Sequence, residues 1–185
     1  RNEIYDYDNI VVLLTHLHAD HIGSLGSFLS FCKNVLDKKV LLAAEENTIV
    51  NILAQSGVHT DKYNFTTDFK ECEADGLSIY VKREIHATDM LCCGFVFECN
   101  GEKIYYSGDT SNIPSDILNA FLSEEIKTMY QECTFLDTDS TSHFSLKKLC
   151  EIIPHEERKR VYCMHLGDDI EDDIVKAGFR VPKIV

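Results

Sequence analysis

Short apolar runs alternate with segments of helical spacing along the first part of the chain. The continuous apolar run at residues 10–14 is typical of a buried strand, and residues 22–31 then place apolar side chains three and four positions apart, as in a helix. The succession repeats, with a strand predicted at residues 40–43 and a helix at residues 45–55. Residues 59–73 are polar and irregular, so we predict no regular element there.

From residue 77 the period of the apolar positions shortens to two, which is typical of strands. We predict strands at residues 77–81, 94–99 and 103–106, and Asn100-Gly101 joins the last two in a tight hairpin. Helices and strands then alternate, at residues 115–122, 128–133, 145–153, 161–164 and 168–177. The pattern predicts an α/β fold in one layered domain over residues 1–185.

Charge and hydropathy narrow the classes of partner. The 185 residues include 18 Lys and Arg against 31 Asp and Glu, a formal net charge of −13. Long nucleic acids are bound through many Lys and Arg contacts to phosphates, and the main basic run is only Arg158-Lys159-Arg160. No apolar run approaches the length that spans a bilayer. We therefore expect neither an extended nucleic acid nor a membrane as partner, whereas a small anionic substrate is compatible with bound metal cations.

Cysteine usage indicates a reducing compartment. The chain has eight cysteines, an even number that would allow four disulfides in a secreted protein. However, it is long enough to form a core without disulfides, and it contains no C-x-x-C pair. Most of the cysteines lie in apolar runs, where a thiol packs as a small hydrophobe. We predict free thiols and a cytoplasmic location.

The strongest chemical signal directly follows the first predicted strand. His16, His18, Asp20 and His21 place three imidazoles and one carboxylate within six positions. Loops at strand ends present functional side chains, and closely spaced His and Asp side chains satisfy their polar atoms by coordinating cations. We therefore predict a metal site in this loop. The alternative is a set of polar residues that are solvated on an exposed turn.

Three further ligand-type residues, His86, Asp109 and His165, each follow a predicted strand. Taken alone, either His is better explained as a solvated or hydrogen-bonded structural residue. Together with the first motif, the three residues supply the six or seven ligands that two metal ions need, including a carboxylate that can bridge them. The joint pattern therefore favours a two-metal site.

The motifs and their order resemble those of the metallo-β-lactamase fold hydrolases. The resemblance covers nearly the whole chain and is most specific in the His-x-His-x-Asp-His motif and in Ser107-Gly108-Asp109-Thr110. It implies an αββα sandwich with two metal ions. The implied ligands are His16, His18 and His86 on one metal, Asp20, His21 and His165 on the other, and Asp109 between them. Because few residues precede the first motif, we expect this chain to lack N-terminal strands of the fold.

Within this family, the motifs resemble the hydrolytic dinuclear branch, which includes ribonuclease Z, phosphodiesterases and glyoxalase II. True β-lactamases usually lack a His at the position of His21 and generally have Cys at the position of Asp109. Flavodiiron members typically have Glu at the position of His18. The resemblance therefore argues against antibiotic hydrolysis and against flavodiiron chemistry.

Two later segments resemble ribonuclease Z. Glu132-Cys133-Thr134-Phe135 is similar to its Glu-Ala-Thr-Phe signature, and His143-Phe144-Ser145 lies where those enzymes have a His-Ser-Thr motif with a catalytic His. The resemblance implies a catalytic role for His143; alternatively, His143 precedes or caps the helix predicted from Ser145. Only 22 residues separate His86 from Asp109, which leaves no room for the basic arm that binds tRNA in many bacterial ribonuclease Z proteins. This departure favours a smaller substrate.

The resemblance implies a metal-dependent hydrolase with two divalent metal ions, for which zinc is expected, although manganese and iron also suit His and Asp ligands. In such a site a metal-bridging hydroxide attacks the substrate, Asp20 can accept a proton and His143 can donate one to the leaving group. We predict a phosphodiesterase that acts on a small nucleotide or cyclic nucleotide. The alternatives are a glyoxalase II-like thioester hydrolase and a non-catalytic metal-binding domain. Homodimers are common among phosphodiesterase relatives, so the resemblance also suggests a homodimer.

Overall fold

Two units make up the described part of the chain. A computed structural model describes residues 4–74, 76–137, 142–166 and 169–183. The units are Arg1–Ala74 and Asp75–Val185. Each unit has its own sheet and its own cluster of buried apolar side chains. The single domain over residues 1–185 stays a prediction.

The apolar runs of the first unit form a parallel sheet. The elements are β1 Val11–Leu13, α1 Ala19–Ile22, α2 Leu25–Leu36, β2 Val40–Ala43, α3 Thr48–Gln55 and β3 Tyr63–Thr66, with 3-10 turns at Ile4–Asp6 and Phe69–Cys72. The strand order is β1-β2-β3, and both neighbouring pairs are parallel. Leu29 of α2, Leu42 of β2 and Ile49 of α3 are completely buried in one cluster. The predicted alternation of strands and helices therefore holds for this unit.

Two elements of the first unit differ from the prediction. The sequence predicts no regular element at residues 59–73, yet β3 forms there because the edge of β2 supplies hydrogen-bond partners that no local pattern reveals. Tyr63 and Thr66 of β3 are buried. The helix predicted at residues 22–31 is α2, which begins later and continues further, and it ends at Asp37 in a left-handed conformation with a φ of 53°.

The second unit contains a mixed five-stranded sheet. Its elements are β4 Leu77–Arg83, β5 Cys93–Cys99, β6 Glu102–Tyr106, α4 Ser115–Leu122, β7 Ile126–Glu132, α5 Leu146–Ile152, β8 Val161–Met164 and α6 Glu171–Lys176, with a 3-10 turn at His155–Arg160. The strand order is β4-β5-β6-β7-β8. Antiparallel pairs join β4 to β5 and β5 to β6, and parallel pairs join β6 to β7 and β7 to β8.

Local signals account for several elements of the second unit. Asn100 and Gly101 have φ values of 52° and 80°, as a type I′ turn requires, so the predicted hairpin between β5 and β6 is confirmed. The predicted bounds of α4 and β8 are also confirmed. The last helix begins at Glu171 and not at residue 168. Asp168, the predicted start of that helix, lies outside the described residues.

One face of the second sheet carries the core of its unit. Val96, Tyr105, Met129 and Val161 lie opposite one another on four neighbouring strands, and all four are buried. They share a cluster with residues of α4 and α5, among them the completely buried Phe121. The apolar face of α4 therefore packs against this face of the sheet.

The parallel part of the second sheet brings three strand ends to one edge. β6, β7 and β8 run in the same direction, so their carboxyl ends lie side by side. Asp109 follows β6, Glu132 is the last residue of β7, and His165 follows β8. This topology places ligand-type side chains from distant parts of the sequence at a common edge.

The state of the cysteines agrees with the sequence-based expectation. All eight cysteines are free thiols, as predicted, and Cys99 is the exposed one among them. A free thiol packs as a small hydrophobe, and this explains why the buried cysteines lie in apolar runs of the sequence. Among the described residues, no helix combines the length and the apolar character that crossing a bilayer requires.

Two guanidinium groups of the basic run at residues 158–160 bind backbone carbonyls. Arg160 donates to the carbonyl of Phe121 at 2.7 Å and to that of Ile126 at 3.1 Å, and its guanidinium lies 4.1 Å from the centroid of the Phe121 ring. Arg158 binds the carboxyl-terminal turn of α5 in the same way. Because the last carbonyls of a helix have no partner within it, these bonds stabilise the ends of α4 and α5.

We predict that Arg160→Gln lowers the free energy of unfolding by about 2 kcal/mol, because it removes a charged group that donates to the Phe121 carbonyl in the last turn of α4 and to the Ile126 carbonyl at the start of β7. Urea unfolding followed by circular dichroism measures the change. Lys159→Gln is the matched control, since it removes the same charge from an exposed neighbour and should change stability by less than about 0.5 kcal/mol. Equal effects of the two substitutions would show that the loss comes from net charge and not from these bonds.

Candidate metal centre

Two imidazoles of the first motif face each other after β1. His16 is buried, with 2% of its surface exposed, and His18 is half-buried. Nε2 of His16 lies 3.0 Å from Nδ1 of His18. The Thr15 hydroxyl contacts Nδ1 of His16 at 3.1 Å and so orients the ring with Nε2 toward His18. Two ring nitrogens in this arrangement suit two ligands of one metal ion.

Asp20 and His21 lie in a helical turn and not in the loop that the sequence predicts. They belong to α1, which starts directly after His18. An acidic residue in the first turn of a helix interacts favourably with the unpaired N–H groups there, and this explains the local structure. Oδ2 of Asp20 is 3.5 Å from Nε2 of His21, and the His21 ring centroid is 4.1 Å from that of His16. The first unit therefore brings the four residues of this motif together.

Asp109 lies in a turn that hydrogen bonds fasten to β7. Gly108 has a φ of 60° in this turn, and Asp109 is buried with 3% of its surface exposed. The N–H of Thr110 donates to Oε1 of Glu132, and the N–H of Glu132 donates to Oγ of Ser107 at 3.0 Å. The position of the Asp109 carboxylate thus depends on the last residue of the neighbouring strand.

His86 directs one ring nitrogen toward Asp109. Its Nδ1 lies 2.8 Å from the carbonyl oxygen of Ser142, which can only accept, so Nδ1 carries the proton. Nε2 is therefore the nitrogen with the lone pair, and it lies 3.7 Å from Oδ2 of Asp109. A histidine whose far nitrogen donates to a carbonyl is the usual arrangement of a metal ligand.

His165 contacts two carboxylates from a strained backbone conformation. Its φ of 53° is uncommon for a residue other than glycine, and such strain is concentrated at functional sites. Nε2 of His165 lies 3.5 Å from Oδ2 of Asp109, and Nδ1 lies 3.6 Å from Oε2 of Glu132. Both nitrogens therefore face carboxylate oxygens at separations that a bound cation could bridge.

His143 forms a hydrogen-bonded pair with Glu132. Nδ1 of His143 lies 2.7 Å from Oε2 of Glu132, which fixes the orientation of the imidazole ring. The alternative role of His143 as a helix cap is wrong, because Oγ of Ser145 accepts the N–H of Lys148 at 3.2 Å and caps α5. The His143 ring centroid is 4.8 Å from that of His86. His143 therefore lies among the predicted ligands of the second unit.

Glu132 is the functional residue that the sequence reasoning missed. It was noted as part of a motif, but no role was assigned to its side chain. With 1% of its surface exposed it is almost completely buried, and buried carboxylates are rare unless they are paired or bind metal. An acidic residue at the buried carboxyl end of a strand was the signal that could have identified it.

The donor set of the second unit fits a divalent metal ion. One ligand atom from each of Asp109, Glu132, His143 and His165 lies within 4.8 Å of the others. Imidazole nitrogens and carboxylate oxygens are suitable ligands for zinc, manganese and iron. Each unit thus contains its own group of predicted ligands, and their joint assignment to one site stays a prediction.

A further carboxyl group, that of Glu84, is buried in the second unit. Burial raises its pKa to about 7, although hydrogen bonds from the hydroxyls of Tyr105 and Thr110 act in the opposite direction. Burial also raises the pKa of Tyr105 well above its ordinary value, and the neighbouring Glu84 adds to this effect. The two side chains are joined by a hydrogen bond of 2.5 Å between the Tyr105 hydroxyl and Oε1 of Glu84.

Solved structures confirm the predicted fold. YhfI from Bacillus subtilis, a metallo-β-lactamase fold protein, superposes with a TM-score of 0.71 at 20% identity, covering 94% of this chain and 75% of that chain. The short form of human tRNase Z superposes with a TM-score of 0.61 at 16% identity, covering 84% of this chain and 72% of that chain. The chain is therefore a protein of the metallo-β-lactamase fold whose described residues include groups that could hold a metal ion.

A sequence comparison defines the family more narrowly. Residues 2–181 match the family model described as Anti-Pycsar protein Apyc1, and the chain belongs to this family. An Anti-Pycsar protein Apyc1 of Bacillus phage BSP38 is 28% identical over 192 residues, covering 90% of this chain and 72% of that relative.

We predict that His165→Ala lowers the affinity for Zn²⁺ by at least about tenfold, because the substitution removes one of the predicted ligands. Metal analysis of the purified protein and competition with a chelating dye measure the change. His155→Ala is the matched control, since His155 is exposed in a 3-10 turn of the same unit. Equal Zn²⁺ affinities of the two variants would contradict the assignment of His165.

Proposed function

We propose that this chain is a phosphodiesterase that uses divalent metal ions to hydrolyse a small cyclic nucleotide. The observation that carries the proposal is the His143–Glu132 pair next to Asp109 and His165, because it sets a possible proton donor beside a group of metal ligands. Membership of the family described as Anti-Pycsar protein Apyc1 supports the choice of a cyclic nucleotide as substrate.

The proposal includes two divalent ions, with zinc as the expected metal. The proposed ligands are His16, His18, Asp20, His21, His86, Asp109 and His165. When bound, such ions supply a water molecule of lowered pKa as the nucleophile and offset the charge on the phosphoryl oxygens. The contacts of His16 with His18 in the first unit, and of Asp109 with His86 and His165 in the second, support these assignments.

In this proposal His143 delivers a proton to the leaving oxygen of the substrate. Glu132 accepts the Nδ1–H of His143, so Nε2 is the nitrogen that faces away from Glu132 and can carry the transferred proton. When the phosphodiester bond of a cyclic nucleotide breaks, the ribose oxygen leaves as a poor leaving group and needs this proton.

Asp20 is the proposed proton acceptor of the reaction. Its carboxylate lies 3.5 Å from His21, and its side chain is 63% exposed, so it is accessible to a reacting water molecule. Acceptance of a proton by a positioned carboxylate is a common component of hydrolysis. Asp20 would thus act both as a ligand and as a base.

Charge supports a small substrate over a long nucleic acid. The net charge of −13 opposes the many phosphate contacts that a polynucleotide requires. Arg158 and Arg160 of the main basic run are engaged with backbone carbonyls. The cytoplasmic location and the homodimer stay predictions.

We predict that Asp109→Ala reduces turnover of both cyclic nucleotides and bis(p-nitrophenyl) phosphate by at least about a thousandfold, because it removes the carboxylate proposed to bridge the metals. Liquid chromatography of the nucleotide products and release of p-nitrophenolate measure the two rates. Asp172→Ala, at an exposed position of α6, is the control. Phosphodiesterase activity that survives in Asp109→Ala overturns the proposal, and hydrolysis of S-lactoylglutathione alone would favour the thioester hydrolase.

The role of His143 predicts a dependence on the leaving group. His143→Gln should slow hydrolysis of a cyclic nucleotide by about 10²–10⁴-fold, since the ribose alkoxide needs a proton. The same variant should affect bis(p-nitrophenyl) phosphate far less, because p-nitrophenolate leaves without protonation. Equal losses on the two substrates would contradict proton donation by His143 and indicate a role in binding metal or phosphate.

A further inference from the structure

Glu84 is a buried carboxyl group with no part in the chemistry proposed above. It directly follows β4, and only 9% of its surface is exposed. Its N–H donates to the carbonyl of Cys92 at 3.0 Å, which extends the pairing of β4 with β5 by one residue. Oε1 accepts the hydroxyl of Tyr105 at 2.5 Å, and the hydroxyl of Thr110 is a second donor to the carboxyl group. Burial of a carboxyl group lowers the stability of the folded protein. We therefore expect the hydrogen bond of Glu84 to have a function.

The bond between Glu84 and Tyr105 crosses a strand at a glycine. Tyr105 belongs to β6, and β5 lies between β6 and β4. A Cβ atom at Gly94 of β5 would lie 2.9 Å from Oε1 of Glu84 and within 2.7 Å of the carbonyl oxygens of Tyr106 and Ser107. Any other residue at position 94 would therefore displace the carboxylate. The absence of a side chain at Gly94 is what allows Glu84 to reach over β5.

The two strands joined in this way lead to two proposed metal ligands. β4 leads through Glu84 to His86, and β6 leads to Asp109. Beyond the strands, the N–H and the hydroxyl of Ser111 both donate to the carbonyl of Ile85, at 2.7 and 2.8 Å. The Glu84–Tyr105 bond thus joins the strands that lead to His86 and Asp109, and the Ser111–Ile85 bonds join the loops that follow these strands.

We propose that Glu84 is a positioning residue of the metal centre, and that its bond to Tyr105 across Gly94 sets the separation between His86 and Asp109. This inference rests on the proposed function, since it assumes that His86 and Asp109 bind metal. The Glu84–Tyr105 bond and the Ser111–Ile85 bonds together hold Nε2 of His86 at 3.7 Å from Oδ2 of Asp109. Without the Glu84–Tyr105 bond, the ends of β4 and β6 that lead to these two residues move apart. The metal then binds to ligands that are no longer fixed in place.

The test compares three variants in the full chain. Tyr105→Phe removes the hydroxyl that Glu84 binds, Glu84→Gln retains an oxygen that can accept it, and Tyr63→Phe is the matched control. Tyr63 is also a buried tyrosine, but its hydroxyl has no hydrogen-bond partner among the described residues. Zn²⁺ affinity by competition with a chelating dye is the main readout, with urea unfolding and kcat and KM for a cyclic nucleotide measured in parallel.

We expect Tyr105→Phe to weaken Zn²⁺ binding by about 10–100-fold and to lower kcat with little change in KM. Glu84→Gln should retain the affinity of the unsubstituted protein, and Tyr63→Phe should leave it unchanged. If Tyr105→Phe lowers only the free energy of unfolding and leaves Zn²⁺ affinity intact, the bond is merely structural and the inference is overturned. Failure of the proposed function is seen separately, as unchanged Zn²⁺ affinity in His86→Ala and Asp109→Ala.

Discussion

The carboxylate of Glu132 is buried and therefore needs hydrogen-bond partners inside the protein. The positions of the candidate ligands in the second unit depend on these partners. With 1% of its surface exposed, a carboxylate without partners would cost several kcal/mol. Its two oxygens are therefore engaged by different segments, the N–H of Thr110 on one side and Nδ1 of His143 on the other. The same buried charge thus fixes the turn that carries Asp109 and the ring of His143.

A common arrangement orients the histidines around these carboxylates. Nδ1 of His86 is bound by a backbone carbonyl, Nδ1 of His143 by Glu132, and Nδ1 of His16 by the Thr15 hydroxyl. In His16 and His86, Nε2 is the atom directed at another candidate ligand, Nδ1 of His18 and Oδ2 of Asp109 respectively. The partner of Nδ1 thus orients each ring.

The sequence predicted those parts of the fold that depend on local patterns. The hairpin at Asn100-Gly101 follows from two residues that accept positive φ, and α4 follows from its own apolar spacing. β3 forms only because β2 offers it an edge, and so no local signal could reveal it. Candidate ligands such as Asp109 could be proposed from the sequence because family motifs mark them. The role of Glu132 was not, because its partners Thr110 and His143 lie far from it in sequence.

The parallel pairing of β6, β7 and β8 also has a consequence for how the protein is made. The ligand group of the second unit draws on Asp109, Glu132, His143 and His165, and the last of these follows a strand that must first pair with β7. A nascent chain whose β8 is still within the ribosome holds scattered imidazoles and carboxylates with no shared geometry. Where ligands come together only in the folded chain, metal binding is coupled to folding, so the proposed site would form only in chains that have completed this sheet.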